Sequence, residues 1–462
     1  MLVRRFYDDR LAQASYLIAC QDSHQAIVID PARDITPYLA AAKSENVRIA
    51  YVTETHIHAD FVSGSRELAQ RTGAELLLSG AGEGSYGHRI ASQARMLHDG
   101  DRISLGGVRI DVWHTPGHTP EHIAFLVTDV TVSEEPVALV SGDFLFVGDV
   151  GRPDLLEKAA GVANTATIGA RALWQSLQRL GSLPEHLQIW PGHGAGSSCG
   201  KALGALPTST LGYERRTNWA LGVHDENTFV RSVLADQPDP PPYFGTMKRV
   251  NRDGPEIVGE LAALPELTAD QLALELPRSV VIDLRPAKAY AETHIPGTLN
   301  LAFNKAFTKW AGWLVSNDQD VFLIAENPAM AEEARRALLA IGLDRVRGMT
   351  TTAAAAALMR GGTALASRRM SMKHVAELAA AGRHIIDVRD DHEWADGHVP
   401  GAEHHSLGRV QESLRNLDRA TPVAVHCQGG GRSAIAASVL ERMGFKDIVD
   451  LSDGWSAFEG NR

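Results

Sequence analysis

Short apolar runs separated by polar turns set the rhythm of the first half of the chain. Residues 26–30 (AIVID), 48–53 (RIAYVT), 108–113 (VRIDVW), 137–141 (VALVS) and 186–190 (HLQIW) are rich in β-branched residues and bounded by turn formers. That pattern predicts strands, several of them buried. A different period runs between them. Leu173, Leu177 and Leu180 fall at i, i+4 and i+7, on one face of a helix. Strands interleaved with such helices predict an α/β protein whose sheet layers are covered by helices.

The rhythm breaks at 236–242 (DQPDPPP), where four prolines in seven residues predict an extended linker or a domain edge. A first domain over 1–255 is expected, with its boundary shortly after the prolines. Beyond it the chain repeats itself. Segments 281–302 and 385–406 each place an Asp eleven positions before a His, Asp283 to His294 and Asp387 to His398. In each the His is followed by Ile or Val, then Pro-Gly. Downstream, 320–343 and 421–445 both read as a buried strand, a loop and an amphipathic helix. Two copies of one α/β unit follow, over 256–365 and 366–462.

Length and composition add bounds. The 462 residues are too many for one core, and 44% hydrophobic with 22% charged residues is ordinary for globular domains. A net charge of −11 and the lack of any basic cluster argue against nucleic acid and anionic membranes as partners. The early apolar stretch at 16–20 is too short for a signal peptide or a membrane span, so a cytoplasmic protein is expected. The three cysteines, Cys20, Cys199 and Cys427, are far apart and odd in number, which predicts reduced thiols. Cys20, in an apolar run, reads as core. A homo-oligomer is left open.

The chemistry-bearing residues cluster just after predicted strands. The 48–53 strand runs into Thr55-His56-Ile57-His58-Ala59-Asp60-Phe61, and 108–113 into His114-Thr115-Pro116-Gly117-His118-Thr119. Gly142-Asp143 follows 137–141, and Pro191-Gly192-His193 follows 186–190. A lone HxH is weak evidence. Imidazoles and carboxylates after four successive strands, gathered on one sheet rim, are donors for a divalent metal.

This set resembles the metallo-β-lactamase superfold, with its THxHxDH, TPGHT, GD and PGH elements, over roughly residues 1–250 and including Asp30-Pro31. The resemblance implies an αββα sandwich with metal at the sheet edges, and it leaves the reaction open. One position departs: Phe61 stands where the pattern has a His that helps hold a second metal in glyoxalase II-like members. By resemblance to the persulfide dioxygenase branch, one Fe(II) per chain is expected on His56, His118 and Asp143. His58, Asp60 and His193 then lie around the ligands. A mononuclear zinc hydrolase of glyoxalase II type remains the alternative. Arg152, Lys201 and Tyr213, on flanking loops, could hold the anionic end of a thiol carrier or be solvated loop residues. Cys199, six residues after His193, could face the pocket or be buried and inert.

The second constellation is Cys427-Gln428-Gly429-Gly430-Gly431-Arg432-Ser433, between a buried strand and a helix. Successive backbone N–H groups at a helix N-terminus form an anion nest, which favours a thiolate or persulfide on Cys427. Arg432 adds positive charge for a sulfur oxyanion. The spacing Cys-x4-Arg is one residue shorter than the Cys-x5-Arg of cysteine phosphatases. The loop resembles that of rhodaneses, and the likeness spans 371–460. Asp387, Arg389 and Glu393 read as structural ion pairing. Counting back from the matching glycines puts Ala325 at the place of Cys427, so the first copy resembles a rhodanese that has lost its loop. The whole order resembles persulfide dioxygenase–sulfurtransferase fusions, which implies thiol persulfide, O2, sulfite and thiosulfate as small-molecule partners.

Overall fold

The computed structural model describes residues 1–81, 87–161, 164–359 and 364–459. It divides into two compact units, the first made of Met1–Leu261 with Leu339–Gly342 and the second of Ala262–Leu338 with Leu343–Arg462.

Two six-stranded sheets build the first unit. One takes its strands in chain order: Leu2–Asp8, Gln13–Cys20, Gln25–Ile29, Arg48–Thr53, Glu75–Ser79 and Arg95–Leu97. The other runs Ser209–Thr210, Gln188–Pro191, Ala138–Gly142, Ile123–Asp129, Val108–His114, Arg102–Ser104. All five strands expected from the apolar runs are present, within two residues at either end. Their facing sides share one core, where Tyr16, Ile18, Ile27 and Ile29 meet Ile110, Phe125, Val127 and Val140. Burial of this apolar surface is the main stabilising term.

Helices cover both outer faces. Thr36–Ser44 and Ser65–Thr72 pack Tyr38, Ala42, Leu68 and Ala69 on the first sheet. Thr165–Gln178 and Glu226–Leu234 pack Leu173, Leu177, Phe229 and Val233 on the second. This is the αββα sandwich that the resemblance implied. The proline-rich 236–242 stretch does not close the unit. It joins Glu226–Leu234 to a further helix of the same unit, Tyr243–Asp253.

The second unit contains two parallel sheets, one per repeat. The first is ordered Leu299–Asn300, Val280–Asp283, Val321–Ala325, Val346–Thr351. The second is ordered Arg368–Met370, Ile448–Leu451, Val423–His426, His384–Asp387, Glu403–His404. Asp283 pairs with Ile324 as Asp387 pairs with His426, so the residues that follow, Ala325 and Cys427, occupy equivalent places. Each Asp also binds the arginine two positions on, at 2.6 Å for Arg285 and 2.8 Å for Arg389. Among the described residues no helix is long and apolar enough to cross a membrane.

Candidate metal centre and thiol loop

The strand ends of the first unit deliver His56, His118 and Asp143 to one point, with one donor atom of each inside a 4.8 Å cluster. His118 Nε2 lies 3.5 Å from Asp143 Oδ2, and His56 Nε2 lies 4.0 Å from it. His118 Nδ1 donates to the Arg152 carbonyl at 3.0 Å, which leaves the Nε2 lone pair toward the centre. Burial first, and neighbouring cationic groups second, push both imidazoles well below their usual pKa. They are therefore neutral, as ligands must be. Burial pushes Asp143 up to about 6, against the pull of His193. His118 Nε2 and both Asp143 oxygens are buried with no hydrogen-bond partner among the described residues. Orphaned donors of this kind fit a divalent cation.

His58 faces elsewhere. Its Nε2 is 3.1 Å from Asp30 Oδ1 and 3.1 Å from Glu54 Oε2. Burial alone would lower its pKa, but the two carboxylates outweigh burial and hold it well above the usual value. Its Nε2 is thereby engaged by carboxylates, while its Nδ1 is buried with no hydrogen-bond partner among the described residues. Asp30 is in turn held by the Thr55 amide at 2.6 Å and its hydroxyl at 2.8 Å.

A second donor set lies alongside, made of Asp60, His193 and Cys199. His193 Nε2 is 3.3 Å from Asp60 Oδ2 and 3.5 Å from Asp143 Oδ1. Both Asp60 oxygens and His193 Nε2 are likewise unpartnered among the described residues. Cys199 therefore faces the pocket. Burial, then Asp60 and Asp143, push its thiol well above the usual value.

The three loop residues read as either thiol-carrier contacts or solvated loop positions are placed as follows. Arg152 is fully buried, bonded twice to Asp154 at 2.7 Å and to the Ser198 carbonyl at 3.1 Å, so its guanidinium is saturated. Lys201 caps the end of the Glu226–Leu234 helix through the Ser232 and Ala235 carbonyls. Tyr213 is 53% exposed. Other residues went unread in the sequence. His122 Nε2 accepts from the Asp143 amide at 3.0 Å, which holds the backbone of that candidate donor in place. Its position four residues after His118 was the available signal. From the helix beyond the prolines, Asn251 Nδ2 donates to the carbonyls of His58 at 2.9 Å and Phe61 at 2.7 Å. Lys248 and Tyr243 of the same helix are buried. No local pattern pointed to them.

In the second unit, the loop after Val423–His426 puts Cys427 at the mouth of the Gly431–Arg442 helix. The Gly430 amide donates to Cys427 Sγ at 3.1 Å. Gly430 has φ +88°, and a Cβ there would lie 1.9 Å from the Ser452 carbonyl oxygen. At Gly429 and Gly431 a Cβ meets nothing within 4 Å, so only one of the three expected nest glycines is sterically required. Gln428 donates to Ser456 Oγ at 3.1 Å. The expected free charge on Arg432 is compensated: Glu393 binds it twice, at 2.6 and 2.7 Å, and Asp390 lies 3.4 Å away.

The metallo-beta-lactamase superfamily model matches residues 8–193, and the rhodanese-like domain model matches 268–351 and 371–461. A crystal structure of a metallo-beta-lactamase from Staphylococcus aureus subsp. aureus COL is 39% identical, with a TM-score of 0.69. That similarity covers 76% of this chain and 99% of that one. The chain belongs to the metallo-beta-lactamase superfamily. Two rhodanese-like domains follow its metallo-beta-lactamase domain. Among curated relatives, a hydroxyacylglutathione hydrolase of Rhodospirillum rubrum is 34% identical over 178 residues, 38% of this chain and 60% of that protein. One from a Synechococcus strain is 34% identical over 179 residues, 38% of this chain and 63% of that protein. The chain thus spans about three fifths of the length of these relatives.

Proposed function

We propose that the first unit oxidises a low-molecular-weight thiol persulfide with dioxygen to sulfite, at one Fe(II) held by His56, His118 and Asp143. Cys427 then transfers sulfane sulfur to sulfite to give thiosulfate. The diversion of His58 carries this reading. With Asp30 and Glu54 each 3.1 Å from its Nε2, the set left facing the centre is two neutral imidazoles and one carboxylate. A ferrous ion bound there supplies open positions for a persulfide and dioxygen. The chain's part is to aim the donors: the Arg152 carbonyl orients His118, and His122 holds the Asp143 backbone.

The overall reaction balances as persulfide, dioxygen and water giving thiol, sulfite and two protons. In the second unit the Cys427 thiol takes the outer sulfur of another persulfide and releases its thiol. Sulfite attacks that sulfur, leaves as thiosulfate and returns the Cys427 thiolate. One chain holding both sites raises the effective concentration of sulfite at its acceptor.

A second reading is zinc-dependent thioester hydrolysis; the two curated relatives are named hydroxyacylglutathione hydrolases. The neighbouring Asp60, His193 and Cys199 donors favour it, because they provide for a second metal. Persulfide-dependent oxygen uptake on iron-loaded protein, with sulfite and thiosulfate quantified, separates the two. Oxygen uptake with both products is expected. Stoichiometric zinc, thioester hydrolysis and no oxygen uptake would sink the proposal.

A further inference from the structure

The helix Tyr243–Asp253 turns Phe244, Met247, Lys248 and Asn251 inward, a run at i, i+3, i+4 and i+7. Asn251 pins this face to the loop that carries the metal donors. Its Nδ2 bonds the His58 and Phe61 carbonyls, and its Oδ1 accepts from the Ser63 amide at 2.9 Å. Lys248 lies one turn earlier on the same face and is 8% exposed. Among the described residues it has no hydrogen-bond or ion-pair partner. Burial lowers the pKa of its ammonium group, against the opposing pull of Glu121, Cys199, Asp143 and Asp60. The helix face that Asn251 ties to the donor loop thus carries an amine with no bond to any acid of the pocket. Arg152, equally buried, is saturated by Asp154 and the Ser198 carbonyl. A buried ammonium with no bonding partner is costly to maintain and is completed by an anionic ligand.

We infer that Lys248 is the anion-receiving group of this pocket, binding the negatively charged sulfur end of a persulfide or the sulfur oxyanion formed from it. The inference rests on the proposed persulfide chemistry. A persulfide is largely anionic at neutral pH, whereas a thioester brings no charge to its reacting carbonyl. Lys248 therefore favours the first class of substrate over the second. Its place on a helix beyond the prolines makes that helix part of the substrate pocket.

The test is anion binding to the full-length chain loaded with Co(II), whose d–d absorption reports on the metal pocket itself. Sulfite is titrated into wild type, Lys248→Gln and Lys248→Arg, with metal content and thermal unfolding measured on each. Lys248→Gln should hold metal as wild type does, lose no thermal stability, and bind sulfite at least ~10-fold more weakly, the scale of one charge-assisted hydrogen bond. Lys248→Arg should recover affinity to within ~3-fold, since the charge is kept. Unchanged sulfite affinity in Lys248→Gln overturns the inference. So does a chain that folds only with Lys or Arg at 248, which would make the charge structural; Lys248→Met checks this with an apolar side chain. Lys248-dependent sulfite binding without persulfide-driven oxygen uptake would refute the persulfide reading and leave the anion site. Oxygen uptake with a persulfide KM indifferent to Lys248 would refute the anion site alone.

Discussion

Replacing Gly430 by Ala separates the geometry of the thiol loop from its composition. The added Cβ would sit 1.9 Å from the Ser452 carbonyl oxygen, whereas carbon and carbonyl oxygen settle at about 3.3 Å, so a shift of roughly 1.4 Å is needed. The φ of +88° adds ~1–2 kcal/mol for any residue with a side chain. The loop has little room to yield, because the Trp455 amide bonds the Cys427 carbonyl at 2.7 Å. A Cβ at Gly454 would lie only 2.4 Å from that same oxygen, so the facing backbone is close-packed there. The strain is relieved by moving the Gly430 amide off Cys427 Sγ, which it now meets at 3.1 Å. A hydrogen bond to a charged sulfur contributes ~1.5–3 kcal/mol, so thiosulfate:cyanide sulfur transfer should fall ~10- to 100-fold. Gly429→Ala is the control: it meets nothing within 4 Å and should keep activity within ~3-fold. Metal content of the first unit should not change in either variant. Equal activity in the two variants would refute the argument that Gly430 geometry holds the sulfur.

Arg152→Met should destabilise the first unit by ~1.5–3 kcal/mol, because it leaves the buried Asp154 carboxylate with Lys158 alone as its cationic partner. Calorimetry reads this, and an unchanged melting temperature with a raised persulfide KM would return Arg152 to a substrate-binding role. His58→Gln should retain bound metal while His56→Ala and His118→Ala lose it, as measured by elemental analysis; loss in all three would place His58 among the ligands. Glu393→Gln should release Arg432 and lower the KM for sulfite at Cys427 several-fold, scored in steady-state sulfur transfer, and an unchanged KM would show that the pair opens freely. Burial works against the Glu393 charge, but Arg432 and the Asp390 amide outweigh it and hold the carboxyl below the usual range. The pair's contribution to stability is therefore complete above the ordinary glutamate pKa of ~4.3 and is lost as pH falls through the depressed folded value.

What could be read in the sequence was local. Apolar runs of four to six residues announced the strands, and the His56, His118, Asp143 and His193 motifs each followed one directly. Cys427 could be found because strand, glycines and helix lie in one short stretch. What could not be read depends on pairings distant in the chain. His58 leaves the donor set because Asp30, 28 residues earlier, reaches it. Asn251 anchors the metal loop from 193 residues beyond His58. The prolines at 236–242 marked an ending by composition, yet the helix after them belongs to the same unit and anchors the His58–Ser63 loop through Asn251. Arg152 and Lys201 were attractive as loop cations, and only the burial and partners of Arg152 and the two carbonyls held by the exposed Lys201 show how each is engaged.

The first rhodanese-like copy retains its sheet, its Asp283–Arg285 pair and its packing after losing the loop, and the contacts across the repeat indicate what it still does. Glu441 binds His294 Nε2 at 3.0 Å and the Gly297 amide at 3.1 Å. Ser438 accepts from the Asn300 amide at 3.1 Å, and Arg442 reaches the Gly297 and Ser279 carbonyls. All three residues lie on the Gly431–Arg442 helix, whose first turn carries Arg432 and follows directly from Cys427. The bonds come from its last two turns, so the first copy clamps the far end of the helix and leaves the thiol end free. The Gly430 amide that bonds Cys427 Sγ at 3.1 Å sits at the N-cap of this helix, so a helix fixed at its far end also steadies the turn that holds the sulfur. The repeat that lacks a cysteine thus remains bound up with the geometry of the one that keeps it.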